Sequence, residues 1–250
     1  MELKAKRLLG LLAAGAFALS IATGTASAQG QPVTTAPTKE AQPEKKAEPK
    51  DKTEKKAEKA EKKEEKKDAK DAPKVEPGVA APDFTLKDTA GNEVTLSSLT
   101  GQGKIVVLEW FNPGCPFVVK HHELNKTFAE LNKKYADKGV VFLAINSGAK
   151  GKQGFGQELN ASKKKDWGIE YPVLLDETGK VGKLYNAKRT PEMFVIGKDG
   201  KVAYMGAIDD NDDSKTPGKV NYVAKALDEI LAGKEVTTKQ TRPYGCSVKY

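Results

Sequence analysis

Residues 109–117 read EWFNPGCPF and decide the fold, because they join three kinds of local structure. An apolar run ends at residue 111, a turn follows over residues 112–114, and a helix is predicted to begin after Cys115. A thiol at the start of a helix faces free backbone N–H groups and the positive end of the helix dipole. Both favour the thiolate, which is the reactive form of cysteine, so we expect Cys115 to carry the chemistry.

The N-terminal residues 1–28 have the pattern of a secretory signal peptide. A basic start is followed by an apolar core of about 15 residues, and Ala26 and Ala28 frame a small-residue cleavage site. The core is shorter than the ~20 residues needed to cross a bilayer. We therefore expect cleavage after Ala28, export to the periplasm or the extracellular space, and no membrane span in the mature chain. An uncleaved membrane anchor is the alternative.

The two cysteines, Cys115 and Cys246, gain meaning from export. In an oxidising compartment an even number of cysteines often forms disulfides. Both residues lie in the C-terminal region, so an internal pair is one interpretation of them.

Residues 29–77 form a low-complexity segment rich in Ala, Pro, Lys and Glu. They include no aromatic residue and few branched aliphatic ones, so they cannot bury enough surface to offset the entropy of ordering. We predict a disordered, solvated linker, with adhesion to a charged envelope polymer as the alternative. The chain carries a net charge of +8, but it lacks clustered Arg interleaved with aromatics, so no nucleic-acid partner is expected.

Residues 78–250 are predicted to form one folded domain. Their pattern alternates strands and helices, which indicates an α/β protein with three layers. The run 104–111 reads as a strand buried on both faces. The other predicted elements are a hairpin over 84–86 and 93–96, a helix over 116–137, a strand over 140–145, a helix ending near 167, a strand over 173–176, a hairpin over 193–196 and 202–205, and a closing helix over 220–231.

Three sequence segments of this domain are similar to those of one known group of proteins. They are WFNPGCPFVVKH at 110–121, RTPEMFVI at 189–196 and PYGCSVK at 243–249. Together they resemble the thioredoxin-like superfamily and, more closely, its exported redoxins, which are peroxiredoxin-like. The resemblance implies a thioredoxin-like fold, with a central mixed β-sheet flanked by helices and an N-terminal β-hairpin. It also implies an oxidoreductase that acts on thiols and disulfides of proteins or small molecules.

The motif departs from both well-known subgroups of that superfamily. Thioredoxins carry Cys-x-x-Cys, whereas Val118 stands at the second position here. Peroxiredoxins carry Thr-x-x-Cys, whereas Asn112 lies three residues before Cys115. We therefore hypothesise that Cys115 is the nucleophile and that Cys246 replaces the missing resolving cysteine. The alternatives are an antioxidant peroxidase that uses Cys115, and a non-catalytic domain in which a Cys115–Cys246 disulfide is structural.

The resemblance also suggests residues that bind substrate. Pro191 corresponds to the proline whose cis peptide bond lies against the active-site cysteine, and its role would be to expose the backbone of Thr190 to an extended substrate peptide. A proline at the start of a strand is the alternative. Pro116, next to the cysteine, and Trp110, at the active turn, are further candidates for substrate contact, although Trp110 fits a core position equally well.

Glu109 lies inside an apolar strand, six residues before Cys115. Partial desolvation should raise the pKa of its carboxyl group, which could then accept a proton during exchange. A strand-end side chain that reaches water or a salt bridge is the alternative.

His121 falls with Phe117, Leu124 and Phe128 on the apolar face of the predicted helix, where it is either a core residue or one that tunes Cys115. His122 is predicted to face solvent, and two adjacent histidines on a helix diverge too far to ligate one metal. The acidic run 209–213 lacks the spacing of a calcium loop and is interpreted as a solvated loop. We expect a monomer that needs no metal and no organic cofactor.

Overall fold

The structure is a computed structural model that describes residues 74–250. The predicted signal peptide and most of the predicted linker, up to residue 73, lie outside the described residues. The described chain begins beside the core, because Val75 packs against the buried residues of one sheet face. Among these residues, none of the helices combines the length and the apolarity that crossing a bilayer requires.

A mixed seven-stranded sheet organises the domain in the order β2-β1-β5-β4-β3-β7-β8. Strands β3, β4 and β5 run parallel to one another, and the remaining pairs are antiparallel. A separate ladder pairs β6 with β9. The strands are β1 Thr85–Asp88, β2 Glu93–Thr95, β3 Ile105–Trp110, β4 Val140–Asn146, β5 Val173–Leu175, β6 Arg189–Thr190, β7 Met193–Ile196, β8 Val202–Gly206 and β9 Cys246–Ser247.

Helices accompany the sheet along the chain. They are α1 Leu96–Gly101, α2 Pro116–Val119, α3 Thr127–Tyr135, α4 Gln157–Asp166, α5 Lys180–Leu184 and α6 Tyr222–Leu231, with a π-helical turn at Lys120–Leu124 and a 3₁₀ turn at Ala136–Lys138.

Strand β3 lies inside the sheet, between β4 and β7, and all six of its residues are buried. Successive side chains of a strand point to opposite faces, so the strand contributes to two cores. Ile105 and Val107 pack with Phe111 and Cys115 on one face, whereas Leu108 packs into the other. The predicted α/β architecture, including the N-terminal hairpin of β1 and β2, is confirmed.

The single helix predicted over 116–137 is wrong, because the segment is broken. After the first turn the chain widens into the π-helical turn, where the Asn125 amide donates to the Lys120 carbonyl at 3.1 Å. Lys126 then adopts a left-handed conformation with φ of 52° before α3 begins. A π turn spans more residues than an α turn, so it rotates the faces that follow. His122 is therefore buried and Leu124 is 55% exposed, the reverse of the sequence-based expectation.

Candidate functional site

The two cysteines meet at the N-terminus of α2. Cys115 is the residue that precedes this helix, and its side chain is fully buried. Cys246 lies in β9 and is partly exposed. The sulfur atoms are 2.8 Å apart although the residues are separated by 131 positions, and both side chains are free thiols. The predicted proximity of the two cysteines is thus present in the structure.

The C-terminal segment reaches Cys115 by pairing with β6. Thr190 lies opposite Cys246 and Arg189 opposite Ser247 in an antiparallel ladder. Gly245, with φ of 107°, allows this approach, since a Cβ atom there would collide with the Thr190 carbonyl oxygen. The Thr190–Pro191 bond is cis, as predicted. The C-terminal residues 243–250, which we call the tail, therefore occupy the backbone edge that we expected to pair with a substrate peptide.

The thiol environment differs between the two cysteines. Cys115 Sγ lies 3.0 Å from the Thr190 carbonyl oxygen, and within the described chain its side chain makes no capping hydrogen bond to α2. Burial, together with the adjacent Cys115, raises the pKa of Cys246 to about 12. Cys246 is therefore held as a protonated thiol at neutral pH.

A loop supports the turn that carries Cys115. The Asn112 carboxamide oxygen accepts a hydrogen bond from the Gly114 amide at 2.9 Å. From the neighbouring loop, the Gln153 side chain donates to the Gly114 carbonyl at 3.0 Å, and Asn112 donates back to the Gln153 carbonyl at 3.3 Å. Sequence analysis missed Gln153, because a contact across 39 positions leaves no local pattern.

Glu109 is buried and forms an ion pair with a histidine. His122 Nε2 lies 2.9 and 3.0 Å from the two carboxylate oxygens. Burial raises the pKa of Glu109, and the charge of His122 opposes that rise. The imidazole lies between the rings of Phe128 and Trp167, with centroids 4.5 and 5.5 Å away. The expected pKa direction holds, but the partner of Glu109 is His122, which we had wrongly predicted to face solvent.

The Redoxin family model matches residues 76–223. The chain belongs to the redoxin family. The tail that carries Cys246 lies beyond the matched residues of this redoxin.

Curated relatives point to one kind of enzyme. The redoxin is 30% identical over 132 residues to the thiol-disulfide oxidoreductase ResA of Bacillus thuringiensis subsp. konkukian, an alignment that covers 52% of this chain and 68% of ResA. It is 32% identical over 127 residues to ResA of Geobacillus thermodenitrificans, which covers 50% of this chain and 66% of that protein. The predicted class, an oxidoreductase enzyme, is confirmed at this level.

Solved structures share the fold. A hypothetical protein from Sinorhizobium meliloti 1021 superposes with a TM-score of 0.62 at 30% identity, over 71% of this chain and 96% of that one. An uncharacterized conserved protein from Geobacillus kaustophilus gives a TM-score of 0.61 at 31% identity, over 71% and 93% of the two chains. The predicted thioredoxin-like fold is confirmed.

The two remaining residues predicted to contact substrate, Pro116 and Trp110, differ in exposure. Pro116 is exposed beside Cys115. Trp110 is fully buried, and its indole donates to Ser147 Oγ at 3.2 Å. Ser147 in turn donates to Asp176 at 2.7 Å. Trp110 is thus a core residue of the redoxin, and its prediction as a substrate contact is wrong, because β3 points its ring into the second core.

A buried polar cluster, which we call the tail cluster, joins the C-terminal segment to the helix that follows Cys115. It consists of Lys120, His121, Asp209 and Tyr244. The first three side chains are at most 3% exposed, so His121 is a core residue as the first interpretation proposed. Asp209 is not part of a solvated loop, which corrects that expectation. Sequence reasoning missed the cluster, although a lysine beside the apolar seam of a helix was a usable signal.

Among residues 74–250, no group of three or more His, Cys, Asp or Glu side chains is arranged to hold an ion.

Proposed function

We propose that this redoxin is a thiol–disulfide oxidoreductase in which Cys115 is the nucleophile and Cys246 the resolving cysteine. The observation that carries the proposal is the 2.8 Å separation of the two sulfur atoms. Attack of one sulfur on a mixed disulfide of the other needs this proximity. The names of the curated relatives, thiol-disulfide oxidoreductase, support the same reaction class.

The exchange has two balanced steps. The Cys115 thiolate attacks one sulfur of a substrate disulfide, forms a mixed disulfide, and releases the other substrate sulfur as a thiolate that takes up a proton. Cys246 then gives up its thiol proton as its sulfur attacks Cys115 Sγ and forms the Cys115–Cys246 disulfide, and the second substrate sulfur leaves and takes up that proton. The substrate gains two electrons, and the protein dithiol loses them. The reverse sequence oxidises a substrate dithiol.

The position normally taken by the resolving cysteine favours this assignment. Val118 occupies the second cysteine position of a Cys-x-x-Cys motif, and its side chain is fully buried. It has no sulfur, so a resolving thiol must come from elsewhere in the chain or from another molecule. Cys246 is the second of the two cysteines, and β9 places it against Cys115.

A substrate can reach Cys115 only when the tail yields space. Cys115 is fully buried, and the strand edge of Thr190 is occupied by β9. We propose that an extended polypeptide or a small disulfide displaces part of the tail, pairs with Thr190 beside Pro191, and rests against exposed Pro116. The substrates are thiols and disulfides of proteins or small molecules. Glu109 would accept a proton during exchange. An unchanged pH profile of the exchange rate in Glu109→Gln would contradict that role.

Export and domain organisation complete the proposal. Residues 1–28 would be removed after Ala28, residues 29–77 would form a charged tether whose end docks on the domain at Val75, and residues 78–250 would act as a monomeric catalytic domain in the periplasm or outside the cell. Mass spectrometry of protein recovered from the periplasm should give an N-terminus at Gln29. An intact N-terminus in the membrane fraction would favour the anchor.

The cysteine roles are tested with oxidised glutathione and two variants. We expect wild-type protein to form an internal disulfide, which peptide mapping detects, and to release two equivalents of reduced glutathione. Cys246→Ser should accumulate one glutathione on Cys115, because the resolving thiol is absent. Cys115→Ser should form neither product at a comparable rate.

The two alternatives predict other results. A structural disulfide predicts a reduction potential below about −300 mV and no exchange with glutathione, and a loop of about 130 residues would stabilise the fold by roughly 4 to 5 kcal/mol. A peroxidase predicts consumption of hydrogen peroxide with an added thiol reductant, dependent on Cys115, and no disulfide exchange.

A further inference from the structure

The hydroxyl of Tyr244 lies at the centre of the tail cluster. It is 2.6 Å from Asp209 Oδ1, 2.8 Å from His121 Nε2 and 3.3 Å from Lys120 Nζ. The tyrosine ring also packs on Phe117, with centroids 5.8 Å apart. Tyr244 precedes Cys246 by two residues, so these contacts fix the chain directly beside the proposed resolving thiol.

The hydrogen bonds of this hydroxyl are fully used. A phenol has one donor and two acceptor sites. Its proton goes to Asp209, because a carboxylate only accepts, and its lone pairs receive His121 Nε2–H and the Lys120 ammonium. This requires the neutral His121 tautomer protonated on Nε2, whose Nδ1 then accepts from Thr127 Oγ1 at 3.2 Å. Burial lowers the pKa of His121 to about 3, which agrees with a neutral ring.

The partners of Tyr244 lie on fixed parts of the molecule. Lys120 and His121 belong to the π-helical turn, which continues the helix that begins after Cys115. Asp209 Oδ2 accepts from the Gly218 amide at 2.6 Å, and Asp209 Oδ1 from the Asn211 amide at 3.2 Å. Lys120 also donates to the Asn211 carbonyl at 2.6 Å. Tyr244 therefore ties the tail to the same element that positions Cys115.

We propose that Tyr244 is a positioning residue for the disulfide exchange, and that its buried hydroxyl holds Cys246 against Cys115 and thereby sets the effective concentration of the resolving thiol. The inference rests on the proposed function. An effective concentration measures how much an intramolecular partner outcompetes a free one. It appears directly in the equilibrium in which protein dithiol and oxidised glutathione give protein disulfide and two reduced glutathione molecules.

The test compares Tyr244→Phe with Tyr135→Phe in that glutathione equilibrium. Tyr244→Phe keeps the ring on Phe117 but removes the hydroxyl, so we expect the equilibrium constant for closing the disulfide to fall at least tenfold, which is about 30 mV in a two-electron couple. Tyr135 supplies the matched control, because its hydroxyl donates to a carboxylate, Asp228, at 2.9 Å, away from the tail. Its variant should change stability without changing the equilibrium constant.

A second readout separates positioning from general loosening. In the reduced proteins, the rate at which iodoacetamide alkylates Cys115 should rise about tenfold in Tyr244→Phe and stay unchanged in Tyr135→Phe. If Tyr244→Phe does not fold, Lys120→Met serves instead. It removes one of the three hydrogen bonds of the Tyr244 hydroxyl, together with the bond from Lys120 to the Asn211 carbonyl, and keeps an apolar chain of similar length. The equilibrium constant should therefore fall about threefold.

The outcomes are distinguishable. If wild-type protein forms no Cys115–Cys246 disulfide in the glutathione buffer, the proposed function fails. If wild-type protein forms it and Tyr244→Phe (or Lys120→Met in its place) closes it with an unchanged equilibrium constant, the positioning role alone is overturned. An equal fall in Tyr244→Phe and Tyr135→Phe would also overturn it, since the effect would then follow general stability.

Discussion

Two buried polar clusters flank the π-helical turn, and adjacent histidines belong to different ones. His122 pairs with Glu109 of the central strand, between two aromatic rings. His121 bonds to Tyr244 of the C-terminal tail and lies 3.8 Å from Asp209. We call Glu109, His122 and the two flanking rings, Phe128 and Trp167, the sheet cluster. The sheet cluster joins the turn to the core of the domain, and the tail cluster joins it to the tail, which we propose is displaced by a substrate.

The two clusters are expected to have different roles, although both include a residue of the same π-helical turn. Removing one partner from a buried ion pair leaves an uncompensated charge. In the sheet cluster that charge is enclosed by the fold, so the free energy of unfolding of the whole domain should decrease. In the tail cluster the tail can move away and let water reach the remaining groups. At neutral pH we therefore expect sheet-cluster variants to act mainly on the free energy of global unfolding, and tail-cluster variants to act mainly on the reactivity of the cysteines.

The largest effect is expected from His122→Ala. It leaves the Glu109 carboxylate buried without its partner and opens a space between Phe128 and Trp167. Loss of one member of a buried pair typically costs about 3 to 5 kcal/mol. Urea unfolding at neutral pH should show a loss of this size. A loss below about 1 kcal/mol would mean that Glu109 finds another partner and that the sheet cluster does not stabilise the core.

Gly245→Ala should act on the tail. A Cβ atom would collide with the Thr190 carbonyl, and the positive φ adds strain, so docking should weaken by roughly 2 kcal/mol or more. Alkylation of reduced Cys115 should accelerate at least tenfold, while the midpoint of global unfolding shifts little. Gly233→Ala is the matched control, since it has φ of 69° but nothing within 4 Å of the added atom. An equal acceleration in both variants would remove the tail as the cover of Cys115.

The two clusters should respond to pH with opposite signs. The pKa of His121 falls from 6.5 to about 3 on folding, so between these values the unfolded chain binds a proton that the folded chain refuses. Stability from His121 is therefore lost as pH falls below 6.5, by up to about 1.4 kcal/mol per pH unit. The pKa of Glu109 is raised above 4.5, so its contribution is lost as pH rises above that value.

Unfolding free energies at pH 5 and pH 6.5 measure this contrast. His121→Gln keeps an N–H donor but does not titrate, so the fall toward pH 5 should shrink by about 1.5 kcal/mol relative to wild type. Glu109→Gln should make that fall steeper. Identical pH dependence in wild type and both variants would show that neither histidine cluster titrates as its burial implies.

Local sequence was enough for the part of the site built by β3 and its turn. An apolar run, a turn and a cysteine are neighbours in the chain, so their pattern predicted where Cys115 lies. The approach of Cys246 and the cis bond before Pro191 followed from a family resemblance, because no local pattern reports a contact across 131 positions.

The errors share a physical cause. A π turn changes the hydrogen-bond offset from four residues to five, and the apolar periodicity of the segment does not reveal that change. The predicted faces of His122 and Leu124 were therefore exchanged. Tyr244 and Asp209 meet Lys120 only through tertiary packing, so the tail cluster had no sequence signature beyond a lysine placed where an apolar residue is expected.

Tyr250→Phe is the smallest and finest test of the comparison. The Tyr250 hydroxyl donates to the Ala187 carbonyl at 2.9 Å and holds the tail on the other side of Cys246 from Tyr244. This single, partly buried bond is worth about 1 kcal/mol, so the glutathione equilibrium constant should fall no more than about fivefold. The expected order is therefore Tyr244→Phe above Tyr250→Phe above wild type in the exposure of Cys115 to iodoacetamide. A larger effect from Tyr250 would place the main anchor of the tail at its far end, and the tail cluster would then be a structural element like its neighbour on the sheet.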